Sequence, residues 1–300
     1  MNTIKIAAPQ LAIVDNDKLA NFHRAEKLIR EAHKDGANLI VMQELHATQY
    51  FCQVEDTSYF DLAEDINGPT YQAFASLAAE LDIVIVTSGF EKRAPGLYHN
   101  TAQVIDGKLG RAGIYRKMHI PDDPGFYEKF YFTPGDSAGC ASGFQAVQTS
   151  IGKLGVLVCW DQWFPEAARL SALSGADLLI YPTAIGWDPT DSEDEKLRQQ
   201  DAWITIQRAH AIANGLPVVA VNRVGFEPAP DCEHGGIEFW GTSFVAGPQG
   251  EVLAKASTSE EELLYATVDL KRTEEVRRIW PYLRDRRIDA YTSLDQRYLD

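Results

Sequence analysis

The chain has 300 residues, of which 45% are hydrophobic and 24% charged, proportions typical of a soluble globular protein. The net charge of −15 argues against nucleic acid and anionic membranes as partners. No apolar run approaches the roughly 20 residues of a membrane span, and the first residues favour a strand rather than a signal peptide. The four cysteines lack paired spacing, so we expect a cytoplasmic protein without a disulfide framework.

Helices and strands alternate along the chain, with two hairpins among them. Apolar runs predict strands at Thr3–Ala8, Leu39–Met42, Ile83–Val86, Leu154–Val158, Leu178–Tyr181 and Val218–Val221. Amphipathic or capped segments predict helices at Asp17–Lys34, Thr70–Leu81, Pro165 to the stop at Gly175, and Lys196–Asn214. Hairpins turn at Asp106–Gly107, between Thr101–Ile105 and Lys108–Tyr115, and at Gly247–Gly250. This mixture predicts an α/β fold with mixed sheets.

The chain contains no linker, repeat or low-complexity tract. We therefore predict a single domain over residues 1–300, with a charged and aromatic C-terminal arm at about 272–300. Such an arm favours a homo-oligomer built from dimers. No glycine-rich fingerprint follows an early strand and no P-loop is present, which argues against a nucleotide-binding sheet.

Cys159 is the first candidate for chemistry. It follows a strand of the buried type, and Pro165 suits the first turn of the next helix. A thiol at such a turn lies at the carboxyl edge of a sheet, where α/β enzymes place their reactive groups. A buried structural cysteine is the alternative interpretation.

Two further polar residues occupy the same kind of position as Cys159. Glu44 follows the strand at Leu39, and Lys117 follows the second hairpin strand. A thiol with a pKa of about 8.5 is only about 3% thiolate at pH 7, so a nucleophilic cysteine needs a base or a positive neighbour. Glu44 can act as the base, and Lys117 can lower the thiol pKa and stabilise an oxyanion together with the Trp160 N–H.

Glu44, Lys117 and Cys159, in this order and with Tyr115–Pro121 around the lysine, resemble the nitrilase (carbon–nitrogen hydrolase) superfamily. The resemblance implies a four-layer αββα sandwich and a cysteine hydrolase that needs no cofactor. Glu44 would be the general base, Lys117 the oxyanion stabiliser and Cys159 the nucleophile. A second glutamate of the superfamily falls on Glu128, which would orient Lys117 and the substrate; its alternative is a surface residue paired with a neighbouring cation.

Four segments have a more specific resemblance, to a branch of the superfamily that hydrolyses the ureido group of a carbamoylated diamine. These segments are Tyr50–Gln53, Cys159–Glu166, Tyr181–Pro189 and Phe239–Phe244. The resemblance implies a small cationic ureide as substrate. Such a ligand needs polar groups at the reacting end, apolar walls and a carboxylate at the far end.

The predicted substrate-binding residues come from these segments. Tyr50, Trp160, Ala184 and Ile185 are candidates for the walls, and Asp188 is the candidate partner of the ammonium. Asp161 and the acidic loop at Asp191–Glu195 are alternatives to Asp188. An anionic ureide such as a carbamoyl β-amino acid, or an ω-amide, is the nearest rival substrate and would need an arginine or lysine at the far end.

The remaining histidines and cysteines give weaker signals. No histidine has metal-ligand spacing with another histidine or a cysteine, so no metal is predicted. A Cys–His pair with His46 is conceivable, whereas His119 favours a structural hydrogen bond near Lys117. The other three cysteines are interpreted as spare thiols: Cys52, Cys140 and Cys232. A catalytically silent scaffold would have lost a catalytic residue, and none is missing.

Overall fold

The computed structural model describes residues 3–136, 143–229 and 235–299, so Cys140 and Cys232 lie outside the described residues. The strands within these ranges are β1 Thr3–Gln10, β2 Leu39–Val41, β3 Val84–Ala94, β4 Leu97–Asp106, β5 Gly110–Arg116, β6 Val147–Thr149, β7 Gly152–Val156, β8 Leu178–Pro182, β9 Gly186–Trp187, β10 Val218–Val221, β11 Val224–Pro228, β12 Gly236–Trp240, β13 Phe244–Ala246, β14 Val252–Lys255 and β15 Glu262–Asp269. The helices are α1 Lys18–Lys34, α2 Pro69–Leu81, α3 Glu128–Tyr131, α4 Pro165–Leu173, α5 Glu193–Asn214 and α6 Leu270–Ile279.

The described strands form two six-stranded mixed sheets. The first sheet has the order β15-β1-β2-β3-β4-β5, and the second has the order β14-β13-β10-β8-β7-β6. In the first sheet β1, β2 and β3 are parallel, whereas in the second sheet β7, β8 and β10 are parallel. Strands β11, β12 and β9 form a smaller antiparallel sheet.

Alternation along the strands of the first sheet determines which layer each side chain enters. In β1, Ile4 and Ile6 belong to the main core that also contains strands of the second sheet, whereas Ala7 packs in a separate cluster with Ile29 of α1 and Phe74 of α2. Side chains two residues apart share a face, so one strand serves two layers. The order of layers is helix, sheet, sheet, helix, with α4 and α5 covering the second sheet. This is the αββα sandwich that the resemblance implied.

Local signals fix the positions of the helices. Asp17 caps α1 by accepting a hydrogen bond from the Ala20 N–H at 3.0 Å. Pro69 and Pro165 occupy the first turns of α2 and α4. The helix α5 ends at Gly215, which adopts the left-handed conformation with φ of 57°.

One predicted boundary is wrong. The predicted acidic loop at Asp191–Glu195 is the beginning of α5, because Ser192 caps the helix and three acidic side chains occupy its first turn. Negative charge is favourable at a helix N-terminus. The segment at about 272–300 that was predicted to form an arm contains most of α6, whose Val276 is buried, and a short 3₁₀ helix at Ile288–Ala290.

Within the described ranges, no helix is both long enough and apolar enough to cross a bilayer.

Close packing of α4 against β7 depends on Gly155. A Cβ at this position would lie 2.9 Å from Leu179 Cδ2, 3.0 Å from Ser171 Cβ and 3.2 Å from Ala176 Cβ. Gly155→Ala should therefore lower the free energy of unfolding by about 1–3 kcal/mol, measured by urea denaturation. The control is Gly89→Ala in β3, where a Cβ would have no neighbour within 4 Å. Equal stability of the two variants would contradict this account.

Candidate active site

Three predicted catalytic residues converge from the ends of strands in both sheets. Glu44 follows β2, Lys117 immediately follows β5, and Cys159 follows β7 of the second sheet. Glu44 and Lys117 are 0% exposed and Cys159 is 4% exposed. The Glu44 N–H donates to the Thr183 carbonyl at 3.3 Å, which ties the end of β2 to the chain beyond β8. The paired sheets thus bring these side chains together.

Lys117 lies between two buried glutamates. Its Nζ donates to Glu44 Oε1 at 2.8 Å and to Glu128 Oε2 at 2.6 Å. Glu128 is the first residue of α3 and is itself 0% exposed, so the alternative of a surface glutamate is wrong. A buried ammonium requires such partners because an isolated charge is costly to desolvate.

Each glutamate has a further neutral donor. The Asn100 side-chain amide donates to Glu44 Oε1 at 2.6 Å, and the Tyr50 hydroxyl donates to Glu128 Oε1 at 2.7 Å. The second oxygen of Glu44, Oε2, is buried and has no hydrogen-bond partner among the described residues. Glu44 therefore keeps one oxygen available to accept a proton.

The candidate nucleophile lies in a tight turn. Cys159 has a backbone φ of 45°, in the left-handed region that residues other than glycine rarely adopt. It is the first residue of a 3₁₀ helix over Cys159–Trp163. Strain of this kind is concentrated at functional sites. The Cys159 Sγ lies 3.8 Å from the Ala184 carbonyl oxygen.

Asp161 holds this turn in place and is not available to bind a substrate ammonium. It is 0% exposed, and its Oδ2 accepts from the Val158 N–H at 2.9 Å and the Tyr115 hydroxyl at 2.7 Å. Its Oδ1 lies 2.7 Å from His119 Nδ1. His119, whose ring also stacks on Phe164 at 3.7 Å, therefore has the structural role predicted for it.

Burial and the neighbouring carboxylates favour the neutral form of the Cys159 thiol. Burial, and then the charge of Glu44, raises the pKa of Cys159 well above its usual value, although Lys117 acts in the opposite direction. Lys117 therefore lowers the thiol pKa as expected, but burial and Glu44 together outweigh its effect. Burial also raises the pKa of Glu128 to about 7. Burial lowers the pKa of Lys117, but the charges of Glu128 and Glu44 outweigh it and hold that pKa well above its usual value.

Cys159 opens onto a cavity of about 380 Å³, a size suited to a small molecule. Trp160, Ala184, Ile185 and Asp188 line it, as predicted. Tyr50 does not line it; its ring is 1% exposed and packs on Phe126 and Phe239, while its hydroxyl reaches Glu128. The other lining residues are Pro121, Asp123, Pro124, Phe126, Glu128, Trp163, Gly186, Asp191, Gln199, Ala202 and Trp240.

Three aspartates contribute to the cavity wall: Asp123, Asp188 and Asp191. The Oδ1 of Asp188 accepts from the Thr190 N–H at 2.8 Å and the Thr190 hydroxyl at 2.7 Å. Asp191 Oδ2 accepts from the Gln199 amide at 3.0 Å. The described residues that line this cavity include no lysine or arginine.

Sequence reasoning missed Asp123. Its Oδ1 is buried without a hydrogen-bond partner among the described residues, and burial raises the pKa of this carboxyl. The sequence signal that could have identified Asp123 is its position between Lys117 and Glu128, because a segment that joins two site residues lies close to the site. Asn222 was missed as well: its side chain bonds the N–H and the carbonyl of Ile185, at 3.0 and 2.9 Å, and so fixes the cavity wall.

The remaining histidine and cysteine candidates lie away from the cavity. The His46 ring packs edge-on against Phe74 at 5.0 Å in the outer helical layer, and burial lowers its pKa to about 4. Cys159 instead bonds the Ala184 carbonyl, so the structure does not form the conceivable Cys159–His46 pair. Cys52 is a buried free thiol. Among the described residues, no cluster of three His, Cys, Asp or Glu side chains could hold a metal ion.

Comparison with known proteins agrees with this geometry. The family model of carbon-nitrogen hydrolases matches residues 5–278. An N-carbamoylputrescine amidase of Solanum tuberosum is 46% identical over 294 residues, covering 97% of this chain and 94% of the relative. A citrullinase of Francisella tularensis is 39% identical, covering 99% of this chain and 100% of the relative.

A solved structure extends the comparison to three dimensions. The crystal structure of a carbon-nitrogen hydrolase from Helicobacter pylori G27 has a TM-score of 0.94 and 54% sequence identity, covering 99% of this chain and 100% of that chain. Both the family match and these relatives extend over nearly the whole chain. The chain therefore belongs to the carbon-nitrogen hydrolase family.

Proposed function

We propose that this protein hydrolyses N-carbamoylputrescine to putrescine, carbon dioxide and ammonia, a reaction of polyamine biosynthesis. One observation carries the proposal: a buried Cys159–Glu44–Lys117 site opens onto a cavity with three aspartates and, among its described lining residues, no cation. The plant relatives at 45–46% identity are N-carbamoylputrescine amidases, in agreement with this substrate.

The first half of the reaction forms a covalent intermediate. As Cys159 Sγ attacks the ureido carbon, its proton passes to Glu44 Oε2, the oxygen that lacks another donor. The carbonyl π electrons move onto oxygen, where Lys117 Nζ and the Trp160 N–H stabilise the negative charge. The bond from carbon to the terminal nitrogen then breaks. Glu44 returns the proton to that nitrogen, and ammonia leaves.

The second half releases the diamine. The thiocarbamate on Cys159 still carries the putrescine nitrogen, and a water molecule adds to its carbon while Glu44 takes one of the water protons. The carbon–sulfur bond breaks and the thiol regains its proton from Glu44. The resulting carbamic acid loses carbon dioxide without assistance to give putrescine, so the same glutamate serves both halves.

The neutral resting thiol suits this mechanism. A permanent thiolate beside Glu44 and Glu128 would place three negative charges around one ammonium in a buried site. Transfer of the proton during attack avoids that state and keeps Lys117 available for the developing oxyanion. The raised pKa of Cys159 is thus compatible with a nucleophile whose base lies beside it.

The cationic end of the substrate is assigned to the aspartates of the cavity, with Asp188 as the proposed ion-pair partner. An ammonium has three N–H donors, so Asp123 or Asp191 can accept from it as well. A carbamoyl β-amino acid would place its carboxylate among these acidic groups. Citrulline carries both an ammonium and a carboxylate, and therefore tests the charge preference of the cavity.

We also propose that the protein acts in the cytoplasm as a homo-oligomer built from dimers. Support comes from exposed apolar side chains on the outer helices and in the tail. Leu170 and Leu173 of α4 are 46% and 50% exposed, and Ile279 at the end of α6 is 70% exposed. Large apolar side chains that are exposed in one chain favour association.

Cys159→Ser should abolish turnover while leaving the fold intact. The hydroxyl is nearly the size of the thiol, but its pKa is too high for Glu44 to activate it. The measurement is steady-state ammonia release from N-carbamoylputrescine, with circular dichroism as the control for folding. Residual activity above about a tenth of wild type would contradict the nucleophile assignment.

The pH profile should report the carboxylates around Lys117. As the pH falls through about 7, Glu128 takes up a proton and no longer balances the Lys117 charge, so kcat/KM should fall. Glu128→Gln should reduce kcat and remove this acid limb from the residual activity. If the acid limb of the pH profile were unchanged in the variant, the titrating group would be one other than Glu128.

Asp188→Asn keeps the volume of the side chain but removes its charge. Because a hydrogen bond to a charged group contributes about 1.5–3 kcal/mol, KM for N-carbamoylputrescine should rise about 10-fold or more. Asp123→Asn and Asp191→Asn are the matched comparisons, and a neutral analogue without the amine should not respond to any of the three. If the wild type turned over that analogue and N-carbamoylputrescine equally well, the proposal of a cationic substrate would be contradicted.

A further inference from the structure

A second buried ion pair lies beside the catalytic group without being part of the mechanism above. Arg223, between β10 and β11, and Glu227, in β11, are 0% and 2% exposed. Arg223 Nη1 donates to Glu227 Oε1 at 2.6 Å. The guanidinium also lies over the Phe239 ring, 5.2 Å from its centroid.

Arg223 forms hydrogen bonds with the backbone segment that carries Glu44. Its Nη2 donates to the Glu44 carbonyl at 2.7 Å and to the Leu45 carbonyl at 3.1 Å, and its Nη1 donates to the Thr48 carbonyl at 3.3 Å. Leu45 has φ of 48°, in the left-handed region that a leucine rarely adopts. A strained backbone of this kind persists only where its surroundings hold it.

Glu227 connects the same ion pair to the second glutamate. Its Oε2 accepts from the Tyr50 backbone N–H at 2.6 Å, and the hydroxyl of the same tyrosine donates to Glu128 Oε1 at 2.7 Å. The Arg223–Glu227 ion pair thus bonds the backbone of Glu44 directly and is linked to the carboxylate of Glu128 through Tyr50.

Stability alone is a poor explanation for this arrangement. Replacing a buried ion pair by apolar groups of similar volume is often neutral or stabilising, because two charges must be removed from water. An apolar pair would leave the carbonyls of Glu44 and Leu45 without these donors and the Tyr50 N–H without this acceptor. The planar fork of an arginine can serve several carbonyls at once.

We propose that Arg223 and Glu227 are positioning residues, which hold Glu44 and Glu128 at hydrogen-bond distance from Lys117. They act through the backbone of residues 44–48 and through Tyr50, and they do not touch the substrate. The proposal rests on the cysteine hydrolase chemistry of the site and does not depend on the identity of the substrate.

The test removes both charges together in R223M/E227Q, so that no lone buried charge remains. Because small displacements of catalytic groups are costly, kcat for ammonia release from N-carbamoylputrescine should fall about 100-fold or more. KM should stay within about threefold, since neither Arg223 nor Glu227 lines the cavity. Alkylation of Cys159 by iodoacetamide, located by peptide mass spectrometry, should slow as well, and this readout needs no substrate.

The matched control for general destabilisation is Ile29→Ala, which creates a cavity in the hydrophobic cluster between α1 and the first sheet. It should lower the thermal midpoint but leave kcat within about threefold of wild type. The proposal is overturned if R223M/E227Q keeps kcat within that range, or if Ile29→Ala reproduces the kcat loss at a similar thermal midpoint.

A single substitution decides the matter if the double variant does not fold. E227Q keeps the shape of the side chain, but its amide has one acceptor oxygen where the carboxylate has two. It therefore loses one of the hydrogen bonds from Arg223 and Tyr50, and it should lower kcat about 10-fold with KM unchanged. An unchanged kcat in E227Q would overturn the proposal. Should the wild type release no ammonia from N-carbamoylputrescine, the proposed substrate is wrong, and the alkylation rates still test the positioning role.

Discussion

An ammonium that is fully removed from water needs carboxylates within hydrogen-bond distance, and Lys117 has two of them, Glu44 and Glu128. This interaction sets the requirements that the surrounding structure meets. The carboxylates must come from separate segments, remain apart from each other and leave one oxygen without a donor. Asn100 donates to Glu44 Oε1, the oxygen that also faces Lys117, and Tyr50 donates to Glu128 Oε1. Glu44 Oε2 therefore has no donor among the described residues and is the proton acceptor in the proposed mechanism.

The sandwich meets these requirements because two sheets share one core. Glu44 and Lys117 come from the ends of β2 and β5 in the first sheet, whereas Cys159 comes from the second. Asp161, two residues after Cys159, accepts a hydrogen bond from Tyr115 of β5, and this contact connects the two sheets at the site. The relative positions of Glu44, Lys117 and Cys159 therefore depend on the packing of the two sheets and not on any single loop.

Local sequence was sufficient to predict the buried strands and their polar ends, because alternating or continuous apolar runs and capping residues act within a few positions. It was sufficient in principle for the start of α5 too, where Ser192 and the acids after it are a typical helix N-terminus. The contacts of Arg223 with Glu44, and the unpaired Asp123 oxygen, could not be predicted in this way. They depend on segments far apart in sequence, and for the same reason Tyr50 was assigned to the cavity wall instead of to Glu128.

The most direct test is a crystal structure of Cys159→Ala, which lacks the attacking atom, with N-carbamoylputrescine bound. The account predicts the ureido oxygen within hydrogen-bond distance of both Lys117 Nζ and the Trp160 N–H, with the ureido carbon facing residue 159 and the ammonium among the cavity aspartates. A ureido group that points away from Lys117, or an ammonium placed at the lysine end, would contradict it.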